Sequence, residues 1–324
     1  MMNITDKQQA ISMTRVTQIA VLEEFNLFLL ISDKSLIAYH LDVITAGPSS
    51  TVDSSRKAPQ KLSGSRDVGF FVAGRMKDRT LVFYKKRDNL SSTFKVLEPI
   101  YQKSSERKRA GYFKRGSTEF FREFDDFYIP TECTGINLFT SSLAVSTARG
   151  FEVLSLERKV PQSVPEVQGE SVQNIVRHIK DQRALCMLRL SEAEFLLCYA
   201  NCAVYVNKHG EISRSVIMEF VGTAQTAALS GAYLVLFDTD FIEIRNAQNG
   251  RLKQIIAGRE IKCLDDGGEY NAGLNRPPVP TGNGSVYGSS AAGGRTVKAV
   301  MQHPENERTQ IVVELVLNNE MKEG

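Results

Sequence analysis

Apolar and polar positions alternate along this chain in short runs, and turn-forming residues interrupt them roughly every ten residues. The pattern is cleanest between Glu194 and Gly258. There Leu196-Leu197, Ala203–Val206, Tyr233–Phe237 and Phe241–Ile244 are rich in β-branched and aromatic residues, which suit a pleated, half-buried surface. Lys208-His209-Gly210, Asp238-Thr239-Asp240 and Asn249-Gly250 stand between them as turns. Asn-Gly predicts a two-residue type I′ hairpin, because both central residues of that turn need positive φ. Strands so short and so evenly spaced cannot bury their faces alone. They imply stacked sheets or a closed ring.

The rest of the chain repeats the theme. From Val16, VTQIAVLEEF, LFLLIS and SLIAYHL predict three strands, split by Asn26 and by Asp33-Lys34. VGFFVAG, TLVFYKK and STFKVLEPI predict a second group, and FFREFDDFYIP, CTGINLF and LAVSTARGFEVLSL a third. Another group starts at Ala184, and TVKAVMQH and TQIVVELVLN flank a turn at Pro304–Glu307. The chain thus divides into five units and a sixth made by its ends, each roughly 40–50 residues long, which is propeller spacing. Residues 1–15 read as a polar lead-in and 318–324 as a tail. Residues 47–67 are a Pro/Gly/Ser loop, 102–118 a basic loop, and 159–177 a polar connection with a short helix near Val172–Ile179. Residues 267–296 are of low complexity and are expected to be disordered.

Composition narrows the classes. A propeller accommodates 324 residues in one domain. Forty Lys and Arg against 37 acidic residues leave a net charge of +3, too little to argue nucleic acid as a partner. The N-terminus lacks a basic segment followed by an apolar core, and no apolar run approaches the ~20 residues that span a bilayer. The expectation is a soluble, cytoplasmic protein. Five cysteines (Cys133, Cys186, Cys198, Cys202 and Cys263) form no even framework and read as buried free thiols.

Candidate chemistry is sparse. His40, His178, His209 and His303 are scattered, and His209 precedes a glycine in a turn, the setting of a solvated side chain. Cys198 and Cys202 have no second cysteine pair or histidine beside them in the sequence, whereas a zinc site needs about four ligands. Asp125-Asp126 and Asp265-Asp266 are adjacent carboxylates, which a strand points to opposite faces. The stretch TGNGSVYGSSAAGG lacks the lysine of a phosphate-binding loop. No catalytic group, metal site or cofactor is predicted. The basic loop is the main feature outside the core: Lys103, Arg107, Lys108, Arg109, Lys114 and Arg115 surround Tyr112 and Phe113. Such a cluster suits an acidic protein surface or an anionic membrane, where each basic residue gains ~1 kcal/mol. A solvated loop is its plain alternative.

Three segments, EFLLCY, YVNKHG and FIEIRNAQNGRLKQIIAG, together resemble the citron homology (CNH) domain, most nearly the one at the C-terminal end of fungal Rho-type guanine nucleotide exchange factors. Phe127–Pro130 (FYIP) and Gly150–Val153 (GFEV) match the same family, and the resemblance covers roughly Val16–Leu264. It implies an all-β, seven-bladed β-propeller across residues 16–317, lacking part or all of its first blade, because family members carry a further blade-forming segment before the counterpart of Val16. The motif residues, expected to be structural, are Phe127, Tyr128, Pro130, Gly150, Phe151, Glu152, Glu194, Phe195, Tyr199, Tyr205, Asn207, Gly210, Glu243, Arg245 and Gly250. At Cys202 and Phe220–Ala232 the chain departs from its relatives, which place an aromatic residue, a Trp and a Pro there.

The resemblance implies a non-catalytic interaction domain in Rho signalling. Its partner would be a Rho-family GTPase or the Dbl-homology exchange module, in the cytoplasm or peripherally at the plasma membrane. Vesicle-tethering subunits carry similar domains but continue into long helical repeats. A propeller enzyme would need paired carboxylates, and none suggests itself.

Overall fold

A computed structural model describes residues 15–45, 59–62, 67–87, 90–101, 120–166, 172–267 and 296–316. Among these residues the regular structure is mostly strand, arranged in six antiparallel sheets, five of four strands and one of three. The all-β expectation holds. Six sheets are present among the described residues, the number of units counted along the sequence, and a seventh blade, expected to be missing in part or whole, is not confirmed. The chain divides into two compact units, residues 1–74 with 78–130, and residues 75–77 with 131–324.

The first unit contains two sheets. One is β1 (Val16–Leu22), β2 (Leu27–Ser32), β3 (Ser35–His40) and β4 (Gln60–Lys61), in that spatial order. A single helical turn, Glu23–Phe25, and Asn26 at φ 54° link β1 to β2. Asp33 and Lys34, at φ 48° and 61°, link β2 to β3 with Ser32 opposite Ser35. That is type I′ geometry, reached without a glycine. A short helix, α1 (Leu41–Thr45), follows. β4 corrects the expectation of an uninterrupted loop over 47–67: Gln60 and Lys61 pair with Ala38 and Ile37. A two-residue pairing is too short to leave a period in the sequence.

The second sheet is β5 (Val68–Met76), β6 (Arg79–Arg87), β7 (Ser92–Pro99) and β8 (Phe121–Ile129). Phe71, Phe83, Phe94 and Phe121 are fully buried in this unit, and Phe94 stacks on Phe127 with centroids 4.8 Å apart. Burying each such side chain contributes about 1.5–3 kcal/mol. Gln18 ties the two sheets, donating to the Phe71 carbonyl at 2.6 Å and accepting from the Phe71 amide at 3.0 Å.

The second unit contains four sheets. They are β9 (Cys133–Leu138) to β12 (Gln162–Val164), β13 (Ala184–Arg189) to β16 (Ile212–Glu219), β17 (Thr226–Ser230) to β20 (Leu252–Ala257), and the three-stranded β21 (Lys262–Asp265), β22 (Val297–His303) and β23 (Asn306–Leu315). The helix expected near Val172–Ile179 is α2 (Gln173–Ile179), which buries Ile175 and Ile179. β12 lies inside the segment read as connection and pairs with β11 (Gly150–Leu154).

Apolar side chains of successive sheets interlock. Ala144, Phe151, Leu197 and Val204 share one cluster, Leu196, Tyr205, Leu234 and Leu236 a second, and Val235, Phe237, Val297 and Ala299 a third. Period-2 alternation is what lets one strand feed two such clusters: Leu196 and Leu197 go to different ones.

The Asn249-Gly250 turn corrects the sequence reading. Gly250 has φ 71°, but Asn249 does not have positive φ, and the loop from β19 (Phe241–Asn246) to β20 spans Ala247–Arg251. Asn246 decides this. Its side-chain oxygen accepts from the amides of Gln248 (2.9 Å) and Asn249 (3.1 Å), which winds the chain into a longer turn.

Candidate interaction site

The motif residues gather into four local constructions on the second unit and one on the first. Glu194 begins β14 (Glu194–Tyr199), and Arg214 lies on β16. Arg214 donates from Nε to Glu194 at 2.8 Å and from its terminal nitrogen to the second carboxylate oxygen. Its guanidinium lies 3.9 Å from the centroid of the Tyr205 ring and also donates to the Gln248 carbonyl. The bond to Glu194 raises the Arg214 pKa, so this bridge between the second and fourth strands of one sheet stays charged. Tyr205 donates its hydroxyl to the Ala247 carbonyl at 3.0 Å. Sequence reasoning singled out Glu194 and Tyr205 but missed Arg214, whose signal is only its i, i+20 partner.

The second construction is an ion pair on β19. Glu243, 2% exposed, pairs with Arg245, and strand alternation puts both on one face. Glu243 also accepts from the Val221 amide at 2.9 Å, and Arg245 donates to the Gly250 carbonyl at 2.8 Å. Each ion therefore fixes a loop as well as its partner.

The third is built around Tyr199 and the β10 (Leu143–Thr147) to β11 turn. Phe151 meets the Tyr199 ring edge-on at 5.5 Å, and Gly150 has φ 116°. A Cβ there would lie 3.3 Å from the Val164 carbonyl oxygen and 3.7 Å from the Tyr199 hydroxyl, so only glycine suits the position. Burial raises the Tyr199 pKa. Glu152 accepts from Ser163 at 2.8 Å, and Phe195 meets Phe139 edge-on at 5.4 Å.

Asn207 shapes the neighbouring corner. Its side chain accepts from the amides of His209 (2.9 Å) and Glu211 (3.1 Å) and donates to the Glu211 carboxylate at 2.7 Å. Gly210, at φ 88°, lies against Val164. Lys208 and His209 are exposed at the tip.

On the first unit Phe127 is buried against Phe94, while Tyr128 is 57% exposed and Pro130 is exposed. On the second unit the motif residues lie in these separate constructions. Most hold turns and strand faces in place.

The six basic residues Lys103, Arg107, Lys108, Arg109, Lys114 and Arg115 lie outside the described residues, as do residues 268–295 of the low-complexity insertion. Among the described residues no group of three or more His, Cys, Asp or Glu could hold a metal ion, and no helix is long and apolar enough to cross a membrane. Cys133, Cys186, Cys198 and Cys202 are buried and Cys263 is partly buried, all as free thiols.

The comparisons with known proteins follow the same residues. A family model described as the CNH domain matches residues 2–267. Rho1 guanine nucleotide exchange factor 1 of Schizosaccharomyces pombe is 33% identical over 314 residues, covering 96% of this chain and 22% of that protein. RHO1 GDP-GTP exchange protein 2 of Saccharomyces cerevisiae is 25% identical over 257 residues, covering 79% of this chain and 18% of that protein. The chain therefore spans about a fifth of the length of these curated relatives. Among solved structures, the AfRom2 CNH domain aligns with a TM-score of 0.73 and 27% identity, covering 97% of this chain and 86% of that one.

Proposed function

The chain belongs to the CNH domain family, and we propose that it is a non-catalytic regulatory domain of Rho signalling that binds a Rho-family GTPase or a Dbl-homology exchange module. The observation that carries this reading is the pairing of high coverage with low span: relatives named as Rho1 exchange factors match nearly all of this chain with about a fifth of their own length. In this reading nucleotide release belongs to another part of such proteins, and this part binds and regulates. The internal use of Glu194, Arg214, Glu243 and Arg245 supports it, because these charged side chains are engaged in holding loops. Partner recognition then falls to loop tips and outer strands. The basic segment from Lys103 to Arg115 adds an acidic or phosphoinositide-bearing surface to the proposed contacts, at the cytoplasmic face of the plasma membrane.

Capture of a Rho-family GTPase in its GDP-loaded, GTP-loaded and nucleotide-free forms, alongside an isolated Dbl-homology module, tests the proposal. One of these is expected to be retained by the immobilised chain. Retention of none, by a chain whose circular dichroism shows folded β structure, overturns it. Reversing Arg107, Lys108 and Arg109 to Glu is expected to weaken capture on anionic liposomes and flatten its salt dependence.

A further inference from the structure

Two of the five cysteines face each other across a strand pair. Cys186 on β13 lies directly opposite Cys198 on β14, and from there the register runs unbroken to Arg189 opposite Phe195. The bulge in this pair falls earlier, between Ala184 and Cys186. Directly opposite residues share a face of the sheet, and both thiols belong to the cluster of Leu196, Tyr205 and Leu234. Antiparallel partners have Cα atoms about 4.5 or about 5.5 Å apart, and a disulfide takes Cα separations of about 4.4–6.8 Å. Either kind of pair therefore admits the bond. The other cysteines are placed differently. Cys202, on β15 (Cys202–Asn207) and opposite Glu219, packs into the cluster on the other face of the sheet. Cys133 and Cys263 belong to other sheets.

We propose that Cys186 and Cys198 are a modification site, a thiol pair that closes into a reversible disulfide when the folded chain meets a hydroperoxide. Cys186 keeps 9% of its surface and Cys198 none, so the oxidant reaches Cys186 first. The Cys186 sulfur attacks one peroxide oxygen and the O–O bond breaks. The other oxygen leaves with a proton, as an alcohol or as water, and Cys186 becomes a sulfenic acid. The Cys198 sulfur then attacks the Cys186 sulfur, the S–O bond breaks, and the hydroxyl departs as water with the Cys198 proton. The two thiols lose two electrons in all, and the peroxide gains them. Burial first, and then a hydrogen bond with Cys186, raise the Cys198 pKa, which puts the two sulfurs in contact and makes Cys198 the resolving thiol. Burial holds the Cys202 and Cys263 thiols up at about 12, which keeps them out of the reaction. Closing the bond also removes the proton that Cys186 donates to the Ala227 carbonyl at 3.6 Å, a tie from β13 to β17.

Peptide mapping under non-reducing conditions tests this, on the folded full chain treated with excess hydrogen peroxide, quenched in acid, and alkylated after unfolding. The wild type is expected to lose two of its five alkylatable thiols and to yield one linked pair of peptides, carrying Cys186 and Cys198. Dithiothreitol is expected to restore both thiols. In Cys198→Ser the sulfenic acid at Cys186 has no resolving thiol and is expected to be captured by dimedone, which the wild type escapes. Cys186→Ser is expected to leave Cys198 alkylatable. The wild-type map decides the matter even if both variants fail to fold by circular dichroism. A wild type that keeps all five thiols overturns the proposal. So does a link from Cys186 to Cys202 or Cys263 in place of Cys198, sulfinic acid at Cys186 with no link, or loss of the Cys198 thiol in Cys186→Ser at the wild-type rate.

Discussion

Asp33 and Lys34 make the β2–β3 turn with two successive left-handed residues. For a residue with a Cβ that conformation costs roughly 1–2 kcal/mol, and lysine has no short polar group to offset it. Lys34→Gly is therefore expected to raise the stability of the first unit by about 0.5–1 kcal/mol, after allowance for the added freedom of the unfolded chain. A urea titration reads the shift in midpoint, and an unchanged or lower midpoint contradicts it. The sequence signal for such a turn pointed elsewhere, to Asn249-Gly250, where Asn246 bonds the following amides and lengthens the loop. A dipeptide propensity cannot see a capping side chain three positions upstream. Glu243 and Arg245 make the opposite case. Their i, i+2 spacing on a strand was legible, but the Val221 and Gly250 loops that they hold were not. Arg245→Ala leaves a buried carboxylate without its counter-ion and is expected to destabilise the second unit by about 3–5 kcal/mol. Thermal unfolding with an unshifted midpoint would show the pair to be dispensable.

At the scale of elements, the longer apolar strands were visible as sequence. Gln60–Lys61 and Gln162–Val164 fell in segments read as loop and connection, and Thr226–Ser230 and Lys262–Asp265 were not picked out. β4 and β12 owe their existence to the neighbours they pair with, β3 and β11, rather than to any pattern of their own. The cysteine-bearing sheet follows a simple rule of burial. Cys186 and Cys198 are opposite each other on β13 and β14, and Cys202 begins β15. Burial pushes the Cys202 thiol up to about 12 from 9.0, because its charged form is poorly solvated there. The folded state thus keeps a proton that the unfolded state releases. The stabilisation is fully present below pH about 9 and is lost as pH rises towards 12, by roughly 1.4 kcal/mol per pH unit for this thiol. Urea titrations at pH 8 and pH 10.5 check the sign, and Cys202→Ala should flatten the slope. Equal slopes in the two proteins would exclude the thiol as the source.

At the scale of the whole chain, regular turn spacing and period-2 alternation were enough to predict an all-β repeat, because each sheet satisfies its own backbone and needs its neighbour only for apolar cover. The number of sheets was legible too. Turn spacing divided the chain into five units and a sixth made by its ends, and six sheets are present among the described residues, whereas the seven-bladed ring came only from the family. The candidate site was legible as a set of residues and illegible as an arrangement. Glu194, Tyr205, Asn207 and Glu243 were all named, yet the bonds that give them their roles run to Arg214, Ala247, Glu211 and Val221, up to tens of positions away in sequence. The proposed capture of a GTPase or exchange module belongs to this scale as well, since it depends on surface loops whose chemistry strand periodicity does not encode.

The Asn207 corner bears on how such a capture would proceed. Its two amide bonds and the left-handed Gly210 leave the tip residues Lys208 and His209 little conformational choice before anything arrives. A protein that grips this corner does not have to freeze it, so association there forfeits less entropy than at a slack loop of equal charge.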